Sequence, residues 1–274
     1  MTTRLGRQGL GRRIGGVAFS VAAWAAIGGA RASDLSPAPA APVLASPAPV
    51  PTWHFYSAAY LWAASVKGDA RVLPPLPTSK VDVGFLDSLK DVEGGVIATG
   101  FARYGRYLAV IDIIGSRSTP SQAVSALGVT GTLSTVSKFL TTMGAVGYRV
   151  FDGPQLTIDA YAGGRVWMME NTLTLTAPGL VNAGVNKRQV WADALVGGQI
   201  RYEFQNNFYV NTIGFVGAGG AQFEGDIYAG VGYRISDRYD VYAGYRALRV
   251  NYEKGPFLYR VTQHGPILGL GIRF

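Results

Sequence analysis

The feature that most constrains the fold is a strict alternation of apolar residues with polar or small ones near the end of the chain. In the segment from Pro266 to Phe274, apolar side chains stand at every second position from Leu268 onward, and glycines and Arg273 stand between them. Neighbouring residues of a β-strand point to opposite faces of a sheet, so this segment predicts a strand with one apolar face. The segment from Val190 to Phe204 has the same period. Alternating segments of about ten residues are typical of transmembrane β-barrels.

Segments of this kind, separated by turn residues, recur after residue 52 and predict ten strands. Their ranges are 54–65, 93–104, 107–116, 134–151, 155–174, 188–204, 208–218, 226–236, 240–252 and 265–274. The connections alternate between tight turns rich in Gly, Asn, Asp or Pro and longer loops. The tight turns are 104–106, 152–154, 205–207 and 236–239, and the loops are 66–92, 117–133, 175–187, 219–225 and 253–264.

A sheet in lipid must pair every backbone amide and therefore has to close on itself. We therefore predict an all-β fold: a closed antiparallel up-and-down transmembrane β-barrel of ten strands. The first two segments alternate poorly, which leaves eight strands as the alternative. An even number of strands places both chain ends on the same side of the membrane.

The first part of the chain has a different composition and predicts an export signal followed by a spacer. A basic start, an apolar alanine-rich run and the small-x-small site Ala30–Ala32 match the plan of a secretory signal peptide. Residues 1–32 are therefore predicted as the signal peptide. Residues 33–52 are rich in proline and alanine, which predicts an extended periplasmic linker. Residues 53–274 form the predicted outer-membrane barrel.

Composition excludes several classes of function. The formal net charge is +8, but Arg4, Arg7, Arg12, Arg13 and Arg31 all lie in the predicted signal peptide. The small basic excess of the remaining chain does not indicate a nucleic-acid partner. The chain has no cysteine, so it has neither a disulfide nor a thiolate site. Its 37 glycines and low charged fraction of 15% fit a barrel that faces lipid.

An arginine stands beside an aromatic residue at the end of five predicted strands. If the arginines point inward, the aromatic residues point outward at one edge of the lipid. This predicts a periplasmic aromatic girdle, since such belts border the apolar band of membrane barrels. The predicted girdle residues are Tyr104, Tyr148, Tyr202, Tyr233 and Phe274.

The same parity predicts a set of charged residues in the lumen: Arg103, Asp112, Arg149, Asp159, Arg165, Asp193, Arg201, Glu203, Arg234, Arg246 and Arg273. They fit either paired charges that fill a narrow barrel or a basic constriction for small anionic solutes. A ten-stranded barrel is close to the size that side chains fill, which favours filling. At the periplasmic end we predict a basic collar of Arg149, Arg201, Arg234 and Arg273. Asp159, Asn211 and Asp240 are its expected partners.

The search for catalytic chemistry gives one weak candidate. His264 lies in a predicted loop at the outer rim, where Asp87, Asp91 or Glu253 are potential partners. Nothing in the spacing brings these residues together, and His54 is predicted at the other end. We expect no catalytic residue, metal site or cofactor. The spacing of apolar residues in 83–92 predicts either a short helix at the barrel mouth or a loop that covers its own apolar residues.

Several segments resemble the uncharacterised small outer-membrane barrel proteins of proteobacteria, in the broad OmpA/OmpW-like group. They are YLWA (Tyr60–Ala63), AGGRVW (Ala162–Trp167), GYR (Gly244–Arg246) and the terminal HGPILGLGIRF. The final phenylalanine resembles the sorting signal read by the barrel-insertion machinery. The resemblance implies fold and outer-membrane location, with lipid and that machinery as partners, but no single activity.

Three functions follow as expectations. The first is a non-enzymatic barrel that is structural or forms a narrow pore for small solutes. The second is a surface binding protein that uses its outer loops. The third is a hydrolase at the outer rim.

Overall fold

The computed structural model describes residues 51–72, 77–84, 92–119, 121–126, 129–177 and 181–274. The predicted signal peptide, residues 33–50 of the predicted linker and most of the 83–92 segment lie outside these residues. Within them, no helix is long and apolar enough to cross a membrane. The strands are β1 Trp53–Trp62, β2 Ser65–Arg71, β3 Ser79–Val83, β4 Val92–Tyr104, β5 Tyr107–Ser118, β6 Ser121–Ala126, β7 Val129–Asp152, β8 Leu156–Ala177, β9 Val181–Glu203, β10 Phe208–Gly219, β11 Phe223–Arg234, β12 Tyr239–Lys254 and β13 Phe257–Arg273.

The strands form one antiparallel sheet that closes on itself through β1 and β13. Strands β1 and β2 pair one after the other with β13, so together they make one interrupted strand of the wall. Strands β5 and β6 do the same along β7. Strand β3 pairs with β2 in an added hairpin. The wall therefore has ten strands, which confirms the predicted closed ten-stranded barrel.

One end of the barrel, called here the short-turn end, carries the tight connections. They join β4 to β5, β7 to β8, β9 to β10 and β11 to β12, close to the predicted turns. Gly105 has φ +58° and Asn207 has φ +65°, a left-handed conformation that glycine and asparagine adopt most readily. The first residue of β1 and the end of β13 lie at this end as well.

The opposite end, called the hairpin end, differs from the sequence prediction. Most of the predicted loops 117–133, 175–187 and 253–264 are strand, and β7 alone has 24 residues. A strand of this length extends roughly 80 Å at about 3.3 Å per residue, whereas about 9–11 residues cross a bilayer. The predictions stopped where the apolar alternation stops. Backbone pairing continues through the polar Ser and Thr positions, because cross-strand pairs stabilise a sheet without an apolar face.

The outer face of the wall is apolar and the inner face is mixed. On β13, the side chains of Leu268 and Leu270 are 61% and 62% exposed, whereas that of Ile267, the residue before Leu268 on the same strand, is 5% exposed. Strands β5, β9 and β12 alternate in the same way. The structure therefore has an apolar outer band around a filled or lined interior, the arrangement that lipid requires of a barrel.

Candidate functional site: the barrel interior

A layer of buried ion pairs crosses the middle of the lumen. Arg165 on β8 contacts Glu224 and Asp226 on β11, at 2.9 and 2.6 Å. Arg246 on β12 contacts Asp226 and also Asp112 on β5, each at 2.6 Å. Strands β8 and β11 are not neighbours in the wall, nor are β5 and β12, so the pairs between them cross the lumen. The pair of Arg246 with Asp226 joins the neighbouring strands β11 and β12. Their side chains are at most 8% exposed, and we call this set the charge layer.

Aromatic rings fill the lumen between the charge layer and the hairpin end. Trp191 stacks on Tyr252 at 4.0 Å between ring centroids and on Trp167 at 5.5 Å. Phe139 meets Trp167 edge-on at 5.6 Å, and Phe257 meets Tyr252 in the same way at 5.6 Å. The indole nitrogen of Trp167 donates a hydrogen bond of 2.7 Å to Glu224, which ties this aromatic stack to the charge layer.

The charge layer and the aromatic stack close the hairpin half of the interior. Seven of the eight largest fully buried side chains of the described residues lie here: Trp167, Arg165, Tyr252, Leu248, Glu224, Val250 and Thr141. Interiors packed in this way leave few voids larger than a water molecule. This half of the lumen is therefore a core.

The short-turn half contains a cavity of about 400 Å³. Its floor is the charge layer, at Asp112, Asp226 and Arg246, and its lining reaches His54 and Phe274 at the short-turn end. The cavity therefore begins at the closed centre of the barrel and extends to the short-turn end.

Aromatic rings lie flat against the wall of this cavity because the neighbouring strand carries glycine beneath them. A Cβ atom added to Gly232 would overlap the ring of Tyr209, and one added to Gly269 would overlap the ring of Tyr242. The hydroxyl of Tyr209 donates a 2.6 Å hydrogen bond to Asp240. Inward glycines therefore set both the ring positions and the free volume.

Four arginines at the short-turn end are paired with carboxylates. Arg149 contacts Asp159 at 2.8 Å and Asp152 at 3.3 Å, and Arg273 contacts Asp240 at 2.7 Å. These contacts bring together the predicted collar and two of its expected partners.

The other two collar arginines differ from the expectation. Arg201 and Arg234 both contact Glu203, at 3.0 and 2.6 Å. Asn211 instead accepts a hydrogen bond of 2.7 Å from Gln199. The prediction that Asn211 is a partner of the arginines is wrong, because its side-chain oxygen is bound by the amide of Gln199 and both nearby arginines bind Glu203.

Arg103 is the exception among the arginines that line the cavity. It lies on β4, where its backbone is opposite His54 on one side and Leu108 on the other. Within the described part of the chain, Arg103 makes no ion pair or side-chain hydrogen bond.

The side chains of all eleven charged residues predicted for the lumen lie on the inner face, in strands whose exposed positions alternate with them. Sequence reasoning missed Glu224 and Asp226 as members of this set. Glu224 falls in the predicted loop 219–225, and Asp226 is the first residue of its predicted strand. The inward parity of Arg234 on the same strand is a signal that could have identified both.

The predicted girdle residues lie on the outer face at the short-turn end. Tyr104, Tyr148, Tyr233 and Phe274 are 38–64% exposed. Tyr202 is half-buried and meets Phe204 edge-on at 4.9 Å. Further aromatic side chains are exposed at the same end: Trp53, Phe55, Tyr107, Phe151, Phe208 and Tyr239.

His264 is not in a rim loop, and this expectation is wrong. It lies within β13, opposite Ala247 and Ser65, on the outer face, where its ring contacts the hydroxyl of Tyr245 at 2.6 Å. Glu253 is six residues further along β12 than Ala247, or roughly 20 Å at about 3.3 Å per residue. Asp87 and Asp91 lie outside the described residues. Strand β13 begins at Phe257, before the predicted start at residue 265, and His264 is therefore part of the wall.

Comparison with known proteins identifies the fold. No protein-family model matches the sequence, and no curated protein matches it. The outer membrane protease OmpT from Escherichia coli is similar in structure, with a TM-score of 0.54, 11% identity, and 82% of this chain and 97% of that chain covered. A weaker similarity is to Ail of Yersinia pestis, with a TM-score of 0.31, 11% identity, and 81% of this chain and 98% of that chain covered. Another is to Neisserial surface protein A, with a TM-score of 0.27, 15% identity, and 81% of this chain and 97% of that chain covered. The fold is that of an outer-membrane β-barrel.

Proposed function

We propose that this protein is a structural outer-membrane barrel whose lumen does not conduct. The short-turn end, where β1 begins and β13 ends, faces the periplasm, and the hairpin end faces outward. The tight connections at the short-turn end support this orientation, because short turns mark the periplasmic side of such barrels. The ring of exposed aromatic residues at the same end supports its place at an edge of the lipid, where such belts border the apolar band.

The observation that carries the proposal is the closed hairpin half of the lumen. Arg165 and Glu224 are 1% and 0% exposed, and Trp167 above them is 0% exposed. An ion that crossed the barrel would have to displace both the charge layer and the aromatic stack. Separating the partners of a buried ion pair leaves uncompensated buried charges and strongly destabilises a protein. Such an opening therefore has a high cost in free energy.

Single-channel recording in a planar bilayer tests the proposal. We expect no conductance steps from the refolded chain under conditions in which a general porin gives regular steps. Reproducible steps would contradict the proposal and favour a narrow pore. In that case, loss of anion preference in the double variant Arg201→Glu with Arg234→Glu would assign the selectivity to the collar.

The length of β7, β8 and β9 favours a second candidate, a surface binding protein. These strands have 24, 22 and 23 residues and extend well beyond a bilayer. Closing the β8–β9 hairpin directly after the pair Thr172 and Asn186 should leave barrel assembly intact. Adhesion of cells that display the full or the shortened chain then tests whether the hairpin binds.

A further inference from the structure

The geometry points to the short-turn cavity as a binding site for a small amphipathic carboxylate. The apolar body of the ligand lies between the aromatic and aliphatic walls, and its carboxylate binds Arg103. This inference goes beyond the structural role proposed above, since it gives the hollow half of the barrel a ligand.

The size of the cavity suits such a ligand. A volume of about 400 Å³ lies within the range of roughly 300–1,000 Å³ found for small-molecule pockets. The charge layer closes one end, so a ligand enters and leaves through the short-turn end. This makes the cavity a pocket with one opening.

The middle of the pocket is apolar. Leu108, Met143 and Phe215 belong to one buried cluster, against which Phe101 and Ile213 pack, and all five line the cavity. Apolar walls with a few polar groups are typical of ligand pockets. A hydrocarbon or aromatic body gains free energy here by leaving water.

The charged groups at the floor of the pocket are already paired with one another. Asp226 accepts hydrogen bonds from both Arg165 and Arg246. Asp112 accepts from Arg246 and from the hydroxyl of Tyr60. The ligand's charged group therefore belongs at the opening, with the body directed towards the floor.

Arg103 provides the charge at the opening. The other arginines that line the cavity at this end each contact a carboxylate, whereas Arg103 contacts none among the described residues. Its neighbours across the strands are Leu108 of the apolar wall and His54 at the opening. A guanidinium group matches a carboxylate with two parallel hydrogen bonds, so Arg103 is placed to hold the head of a ligand whose body reaches the apolar wall.

Equilibrium dialysis of the refolded chain in lipid discs tests the inference. The probes are 2-naphthoate and its uncharged analogue 2-naphthamide, and empty discs correct for partition into lipid. We expect one site that prefers naphthoate by about ten- to a hundredfold, the range for a hydrogen bond to a charged group. Arg103→Gln should abolish this preference. Arg238→Gln, which changes an exposed arginine of the turn before β12, should leave it unchanged.

A second variant tests the apolar part of the pocket. Ile213→Trp fills the cavity and should weaken binding of both probes. If this variant fails to fold, as judged by heat-modifiable migration on a gel, the preference of the Arg103→Gln variant for naphthoate over naphthamide still tests the inference. Equal affinity for the two probes, unchanged preference in Arg103→Gln, or uptake no greater than that of empty discs would each overturn the inference. The dialysis decides it whether or not the barrel conducts.

Discussion

The two halves of the lumen follow the same alternation but are packed in opposite ways. In the hairpin half, the ion pair between Arg165 and Glu224 is fully buried. In the short-turn half, Arg234 and Glu203 are 31% and 37% exposed, and Glu203 lines the cavity. The difference lies in how the inward residues pack. In the hairpin half, the rings of Trp167, Trp191 and Tyr252 stack across the lumen. In the short-turn half, glycines such as Gly232 and Gly269 let tyrosine rings lie against the wall and leave space. The two-residue alternation along each strand determines which residues face the lumen. The volume of those side chains determines whether the lumen is closed.

The largest expected effect tests whether the hairpin half is a dry core. Arg165→Met removes the ion-pair partner of Glu224 and one of the two ion-pair partners of Asp226 at nearly constant volume. Breaking a buried ion pair on one side costs about 3–5 kcal/mol, so the free energy of unfolding should fall by that amount. Urea unfolding in lipid vesicles, followed by tryptophan fluorescence, measures it.

Arg234→Met is the matched control in the other half. Its half-exposed contact with Glu203 should contribute at most about 1 kcal/mol, and Arg201 remains as a partner of the same carboxylate. Equal losses in the two variants would show that the halves do not differ in the way proposed here.

The sequence predicted the wall of the barrel better than its interior. The face to which a strand residue points alternates from one residue to the next. The inward positions of Arg165 and Arg246 could therefore be predicted without knowing which strands lie beside theirs. Which carboxylate each arginine contacts depends on the distance across the lumen, and the contact between Arg165 and Asp226 spans 61 residues. The closed hairpin half could not be predicted either, because it requires Trp167, Trp191 and Tyr252 from three strands to meet in one layer.

The extensions at the hairpin end were missed for a different reason. Residues 121–126, which form β6 within the predicted loop 117–133, contain Ser or Gln at three of six positions and lack the apolar alternation that marks a strand facing lipid. Beyond the membrane the selection for an apolar face ends, while cross-strand backbone pairing continues. The lipid-facing pattern therefore predicts where the bilayer ends and not where the strand ends.

An intermediate effect tests how glycine keeps the short-turn half open. Gly232→Ala should destabilise the barrel by about 1–3 kcal/mol, the cost of adding a methyl group to a packed site. The new methyl overlaps the ring of Tyr209, and this ring is fixed by its hydrogen bond to Asp240 and by the guanidinium of Arg201 at 3.6 Å. The same urea titration measures the loss.

Gly144→Ala provides the control, because an added Cβ at Gly144 has no atom within 4 Å. Its effect should be close to zero or slightly stabilising, since alanine restricts the unfolded chain more than glycine does. If Gly232→Ala were equally harmless, the ring of Tyr209 would have room to move, and the shape of the cavity would not depend on glycine.

The smallest expected effect concerns the accessibility of the short-turn half to water and salt. The Debye length falls from about 10 Å at 0.1 M salt to about 3 Å at 1 M, and screening acts on ion pairs that solvent reaches. The loss of at most about 1 kcal/mol in Arg234→Met should therefore disappear when the urea titration is repeated in 1 M NaCl. The loss in Arg165→Met should persist, because Arg165 and Glu224 are fully buried and salt cannot enter between them. A loss in Arg234→Met that is independent of salt would mean that the short-turn half is closed to solvent. The cavity could then not exchange a ligand through that end.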